Sequence, residues 1–252
     1  MSLPKSLETL AAAFALSFLS APAFAAGLDR DGLLTEAPAT PSAGNVRVSG
    51  GGTGQVAGNA EGSVSATVMW TPIEHLAGDV GGYFQSEGTF GPSARVRYQL
   101  LNQGAHGLDL AVGARYKWLG FTVNPNVGGH RGEMELLVAA GRKFGPLDVA
   151  LNGVVGFEVG EDGKDAELKA LVGYNLWDGL RLGVDGRFQG EFQSPSGVKV
   201  PDFTNDVALI GGPSVSWLVT PKVEVQALVG GFKGRGDPAV GYGGQLLLAV
   251  DL

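Results

Sequence analysis

Three histidines supply the chain's imidazole, and His130 stands in Gly128-Gly-His-Arg-Gly-Glu-Met134 with Glu133 three residues on. Joined by Ser86 or Ser194 from other loops, that set has the residue types of a hydrolase: an imidazole to take a hydroxyl proton, a carboxylate to orient the ring. No nucleophile signature surrounds either serine, and His75 and His106 fall in short turns at the opposite strand ends from His130. A lone histidine in a glycine-rich loop is ordinarily a solvated polar residue. We therefore assign no catalytic, cofactor-binding or metal-ligating residue. With no cysteine, a thiol nucleophile, a thiolate metal site, a disulfide scaffold and a lipid-anchored lipoprotein are all excluded. The regular chemistry lies elsewhere, in Arg181, Asp185, Arg187 and Glu191, which recur on one side of a single segment.

That segment, Leu180 to Phe192, reads LRLGVDGRFQGEF. Leu180, Leu182, Val184, Phe188 and Phe192 point one way, and the charged and amide residues point the other. Two-residue alternation defines a strand whose faces meet different surroundings. It also exceeds the roughly 5–6 residues usual for soluble strands and reaches the roughly 9–11 that a tilted strand needs to cross a bilayer.

The pattern recurs. Strands are predicted at 45–57, 62–70, 75–85, 91–101, 107–119, 132–144, 147–159, 164–176, 180–192, 205–219, 222–233 and 239–252, which makes twelve. Ser49-Gly-Gly-Gly-Thr-Gly-Gln55 interrupts the first as a loop or a bulge, and ten strands is the alternative count. Short connections carry turn chemistry at Thr71-Pro72, Asn102-Gln103-Gly104, Gly145-Pro146, Asp178-Gly179 and Thr220-Pro221. Longer polar stretches, 122–131 and 193–204, fall at the opposite ends.

Forty-two glycines without a collagen period, inside runs that are otherwise apolar, suit a sheet that bends to close. A net charge of −7, with bases interleaved among acids, disfavours nucleic acid as a partner. At the N-terminus Lys5 precedes an apolar run from Leu10 to Leu19, then Ala23-Phe24-Ala25. This is the order of a signal peptide over 1–25, with cleavage expected after Ala25. Residues 26–44, rich in Ala, Pro, Thr and acids without period, read as a periplasmic leader: a passive tail, with a periplasmic protein partner as the alternative. One domain, 45–252, remains.

Inward candidates are the charge lining Arg95, Arg97, Arg115, Arg181, Asp185, Arg187 and Glu191. Aromatic residues gather at two levels. Trp70, Phe144, Trp177 and Trp217 lie beside short turns, and Trp118 and Phe192 lie near the other rim. Such girdles mark membrane interfaces.

With these features and a last strand ending Gln245-Leu-Leu-Leu-Ala-Val-Asp-Leu252, the chain resembles a bacterial outer-membrane β-barrel protein. The resemblance is one of pattern over 45–252. It implies an all-β, closed, antiparallel up-and-down barrel in the outer membrane of a Gram-negative-type cell, surrounded by lipid. It also implies insertion by the barrel-assembly machinery, which reads the alternating C-terminal strand; this chain ends in Leu252 where family members commonly have Phe.

Barrels do not fix function. The charge row fits a narrow porin-like channel for small solutes or ions, non-enzymatic and without a cofactor. The alternative is a structural or docking barrel of an envelope-spanning machine, such as one for gliding motility or polymer export, and a lipid hydrolase or protease ranks third. Whether the lumen is open or filled is not decided by alternation.

Overall fold

Alternation becomes hydrogen-bonded strand wherever both neighbours carry the same period, and here it does so around a full circle. The computed structural model describes residues 30–55, 62–85, 89–118, 121–122, 132–159, 163–194, 197–198, 200–202, 206–235 and 240–252. The A-x-A site, Ser86 and His130 lie outside these residues, and the side chain of Ser194 is likewise not described.

Twelve long strands form the wall. They are β1 (Val46–Gln55), β2 (Gly62–Ile73), β3 (Leu76–Gln85), β4 (Thr89–Leu101), β5 (Asp109–Trp118), β7 (Gly132–Phe144), β8 (Leu147–Val159), β9 (Lys164–Trp177), β10 (Leu180–Ser194), β12 (Val207–Thr220), β13 (Val223–Lys233) and β14 (Gly241–Asp251). Two two-residue strands, β6 (Phe121–Thr122) and β11 (Gly197–Val198), pair with β4 and β10. Each long strand pairs antiparallel with its sequence neighbour, and β1 pairs with β14 from Arg47↔Asp251 to Gln55↔Gly243. Closure removes both sheet edges.

Pairing on both sides makes β1 a full stave, so the twelve-stranded count stands and its glycine run is neither loop nor bulge. The glycines answer a local need, since a Cβ at Gly51 would overlap the carbonyl oxygen of Leu246 on β14. Two turns differ from expectation. The β2–β3 reversal falls at Glu74-His75, with His75 in the left-handed region (φ 68°), because Thr71-Pro72 instead forms an irregularity between Trp70 and Ile73. Pro72 has no N–H to give the ladder, and the Thr71 N–H goes to the Asn45 carbonyl. Asn102-Gln103-Gly104 opens a single-turn helix, α1 (Gln103–His106), capped by the Asn102 side chain and by Gly107 at φ 80°.

Every one of the twelve strands exposes large apolar side chains on the outer face, among them Val64, Val80, Val96, Leu136, Leu168, Leu182, Val184 and Leu246. An apolar band of that extent around a whole molecule is far beyond the surface patches of soluble monomers. The inside is the reverse. Its buried apolar side chains include small ones, such as Ala111, Ala139 and Ala150, while Arg97, Asp109, Glu135, Asp148, Asn152, Asp185 and Glu224 are fully or nearly fully buried.

Candidate functional site

The β1 strand begins at the short-turn end, and the segment before it does not hang free there. Gly44 donates to the Thr71 carbonyl at that rim. From there residues 31–40 lie inside the barrel. A passive tail at 26–44 was the expectation, and at least this part of it is instead folded into the lumen. The physical reason is that a ring of twelve strands encloses buried charged and amide side chains, and a peptide backbone offers the donors and acceptors they need.

The segment is fitted to the wall almost atom by atom. Asn152 on β8 faces Glu36 with its whole amide: Oδ1 accepts the Glu36 N–H at 2.7 Å and Nδ2 donates to its carbonyl at 2.9 Å. Asp185 on β10 accepts from the Leu34 N–H at 2.9 Å and the Thr35 hydroxyl at 2.5 Å. Arg97 donates to the Ala37 carbonyl at 2.7 Å, Gln226 to the Asp31 carbonyl at 2.9 Å, and Gln99 accepts from the Thr40 N–H at 3.0 Å. The segment also turns on itself, with Gly32 N–H on the Thr35 carbonyl and Ala37 N–H on the Asp31 carboxylate. Gly32 allows this close approach, since a Cβ there would stand 2.5 Å from Asp185 Oδ2.

Charge ties the same segment to the wall. Glu36 takes Lys169 at 3.0 Å, Arg95 at 3.8 Å and Arg115 at 3.9 Å, while Asp31 takes Arg97 at 3.1 Å and Arg95 at 3.5 Å. Each of Arg95, Arg115 and Lys169 also has a wall carboxylate: Asp79 at 2.6 Å, Glu135, and Glu167 at 3.1 Å respectively. Adding Lys117 with Glu133 and Glu135, and Arg187 with Glu167, gives one connected network of six cations and six carboxylates among the described ion pairs. Four carboxylates belong to the wall; the leader supplies the last two. Burial by itself pushes the Glu36 carboxyl up, but Lys169, Arg115 and Arg95 outweigh it and hold the group below its ordinary value.

Beside the segment, and lined in part by its residues 31–36, lies a cavity of about 520 Å³. On one side stand Arg95, Arg115, Lys117, Lys169 and Arg187, and on the other the hydroxyls and glycines of β1 and β2, such as Ser49, Thr53, Ser65 and Thr67. The β1 and β2 residues that line it carry no ionised side chain.

The seven residues named as a charge lining are thus placed as follows. Arg95, Arg97 and Arg115 enter the network with the leader, Asp185 binds the leader's backbone, and Arg187 borders the cavity. Arg181 pairs with Asp148 at 3.6 Å, and Glu191 borders a smaller cavity of about 180 Å³ with Glu133 and Arg235. Trp70, Phe144, Trp177, Trp217 and Trp118 are exposed, whereas Phe192 is half-buried at a register shift between Glu191 and Gln193. Gln226 faces inward, as its place in the alternation predicts, whereas Asp31, Thr35, Glu36, Asn152 and Gln99 were not singled out from the sequence. The one signal for them is the number of neutral amides on inward faces, where a hydrated pore wall has no special need of paired amides.

Among the described residues no group of three potential metal ligands converges, and no helix is long and apolar enough to cross a membrane. Neither statement bears on a barrel.

A closed twelve-stranded barrel, apolar outside and charged within, is the fold of bacterial outer-membrane β-barrel proteins. Known structures carry the same fold. The COG4313 outer membrane channel from Pseudomonas putida F1 superposes with a TM-score of 0.58 at 13% identity, covering 85% of this chain and 97% of that one. The NanC porin superposes with a TM-score of 0.57 at 10% identity, covering 82% and 100%. No protein-family model matches the chain, and no curated protein matches it in sequence.

Proposed function

We propose that the protein is an outer-membrane channel for small solutes whose lumen is narrowed by its own N-terminal segment. The observation that carries this reading is the cavity of about 520 Å³ inside the barrel, lined by fixed charges and hydroxyls. A barrel serving only as a structural ring needs no polar chamber, and packing it with apolar side chains would stabilise it more. The apolar outer band sits in lipid, with Trp70, Phe144, Trp177 and Trp217 at one interface and Trp118 at the other. The short-turn end, where the leader enters, is periplasmic. The two structures with the same fold are named as a channel and a porin, which supports the reading. Export through the 1–25 signal, cleavage after Ala25, and recognition of Leu246, Leu248, Val250 and Leu252 by the assembly machinery belong to the same proposal.

A docking barrel is the weaker reading, because residues 31–40 spend their hydrogen-bonding groups on the wall and are not offered to a periplasmic partner. The proposal assigns no catalytic role. Its test is planar-bilayer conductance of protein purified from outer membranes, beside a form lacking residues 31–40. A small current that rises on deletion is expected. Insertion without current in both forms would remove the channel reading.

A further inference from the structure

Among the described ion pairs, the network inside the barrel balances only because the leader is present. Without Asp31 and Glu36, six cations face four carboxylates in the described ion pairs, leaving a surplus of two positive charges beside the cavity. A surplus of that size in a confined space is costly, and is relieved by an anion. The two leader carboxylates are not spread at random. Both reach the guanidinium of Arg95, Asp31 at 3.5 Å and Glu36 at 3.8 Å, and from there Asp31 extends to Arg97 and Glu36 to Lys169 and Arg115.

From this geometry we infer that the cation cluster is a binding site for small dicarboxylates, and that Asp31 and Glu36 occupy it as a tethered stand-in for the solute. Resting on the channel reading, this names its substrate class. A dicarboxylate entering the cavity supplies the same two charges to the same three strands, β4, β5 and β9. It thereby releases the leader's ionic anchors by exchange. The wall carboxylates Asp79, Glu135 and Glu167 have a separate role: they hold Arg95, Arg115 and Lys169 in place, so the site is formed before a solute arrives. The neutral β1–β2 wall opposite leaves room for the carbon chain and its bound water.

The exchange is testable in protein purified from outer membranes, with glutarate as the probe and uncharged 1,5-pentanediol as its control, by calorimetry at neutral pH. Removing the tethered competitor in Asp31→Ala/Glu36→Ala should tighten glutarate binding by about tenfold or more, the order expected for a lost charged hydrogen bond, with no binding of pentanediol. Adding Lys169→Gln to that background should abolish the gain. Heat-modifiable migration on gels checks that each variant is a folded barrel.

In the unaltered protein, glutarate should speed hydrogen exchange in residues 31–40 and leave the strands unchanged. Folded Asp31→Ala/Glu36→Ala that binds glutarate no better than the parent overturns the inference, as does a leader whose exchange ignores glutarate. The two readings fail separately: binding without current retains the site and removes the channel, whereas current without binding retains the channel and removes the site.

Discussion

Asn152 holds Glu36 by both ends of one amide, accepting its N–H at 2.7 Å and donating to its carbonyl at 2.9 Å. The two residues are 116 apart in sequence, and both are buried. A side-chain amide in this position copies what a neighbouring strand does for a backbone, and it does so in the middle of a barrel.

Replacing Asn152 by Leu leaves a buried N–H and a buried carbonyl unpaired, at roughly 1–3 kcal/mol each. The loss falls on leader docking and not on the strand ladder. Hydrogen exchange at Glu36 should accelerate by a factor of ten or more, on the order of 1.4 kcal/mol per decade, while the urea midpoint of the barrel stays put. A fall in that midpoint with Glu36 still protected would assign Asn152 to the wall alone.

Gly32→Ala places a methyl group 2.5 Å from Asp185 Oδ2. Either the leader or the Asp185 carboxylate has to move, and either shift strains the bonds of Leu34 and Thr35 to Asp185. Single-channel conductance should rise in this variant toward that of the form lacking residues 31–40. Unchanged conductance would show that the leader at this point does not limit passage.

Acid should loosen the leader. The Glu36 carboxyl is held below its ordinary value of 4.5 by Lys169, Arg115 and Arg95 against the opposing effect of burial. A depressed carboxylate contributes stability fully above the ordinary value and loses it as pH falls through the folded one. Leader protection against added protease should therefore be flat from neutral pH to the ordinary value and decline below it. Glu36→Gln should remove this part of the pH dependence, and persistence of the same decline in that variant would place its origin elsewhere.

The two faces of β10 should answer differently to charge. Leu182 points out of the barrel and is 44% exposed, so Leu182→Arg puts a cation into lipid at a cost of about 2–4 kcal/mol if it sits near the midplane. Gln189, which donates to the Asp165 carboxylate, tolerates Arg because a donor to Asp165 is kept. Reversible unfolding from phospholipid vesicles should separate the two variants; equal stability would contradict a lipid-facing outer wall.

Much of the fold was legible because its signal is local. Leu180, Leu182, Val184 and Phe188 alternate with Arg181, Asp185 and Arg187, and a period of two needs no distant information to read as a strand with two faces. Turn residues likewise marked the reversals, except where Pro72 sat at an irregularity and not in the turn itself. Phe192 is half-buried for a similar reason, since a register shift at Glu191/Gln193 interrupts the alternation just where it lies.

The amino-acid sequence by itself thus determined the strands, their faces and the mixed charge of the inner wall, because each follows from neighbours two residues apart. Only the tertiary structure decided what that wall holds. Pairing of β1 with β14 closes the ring, and closure brings Arg95, Arg115, Asn152, Lys169 and Asp185 from five strands around a segment with no periodicity of its own. Contacts that span 59 to 195 residues depend on register and curvature summed over the whole barrel, which no window of sequence contains.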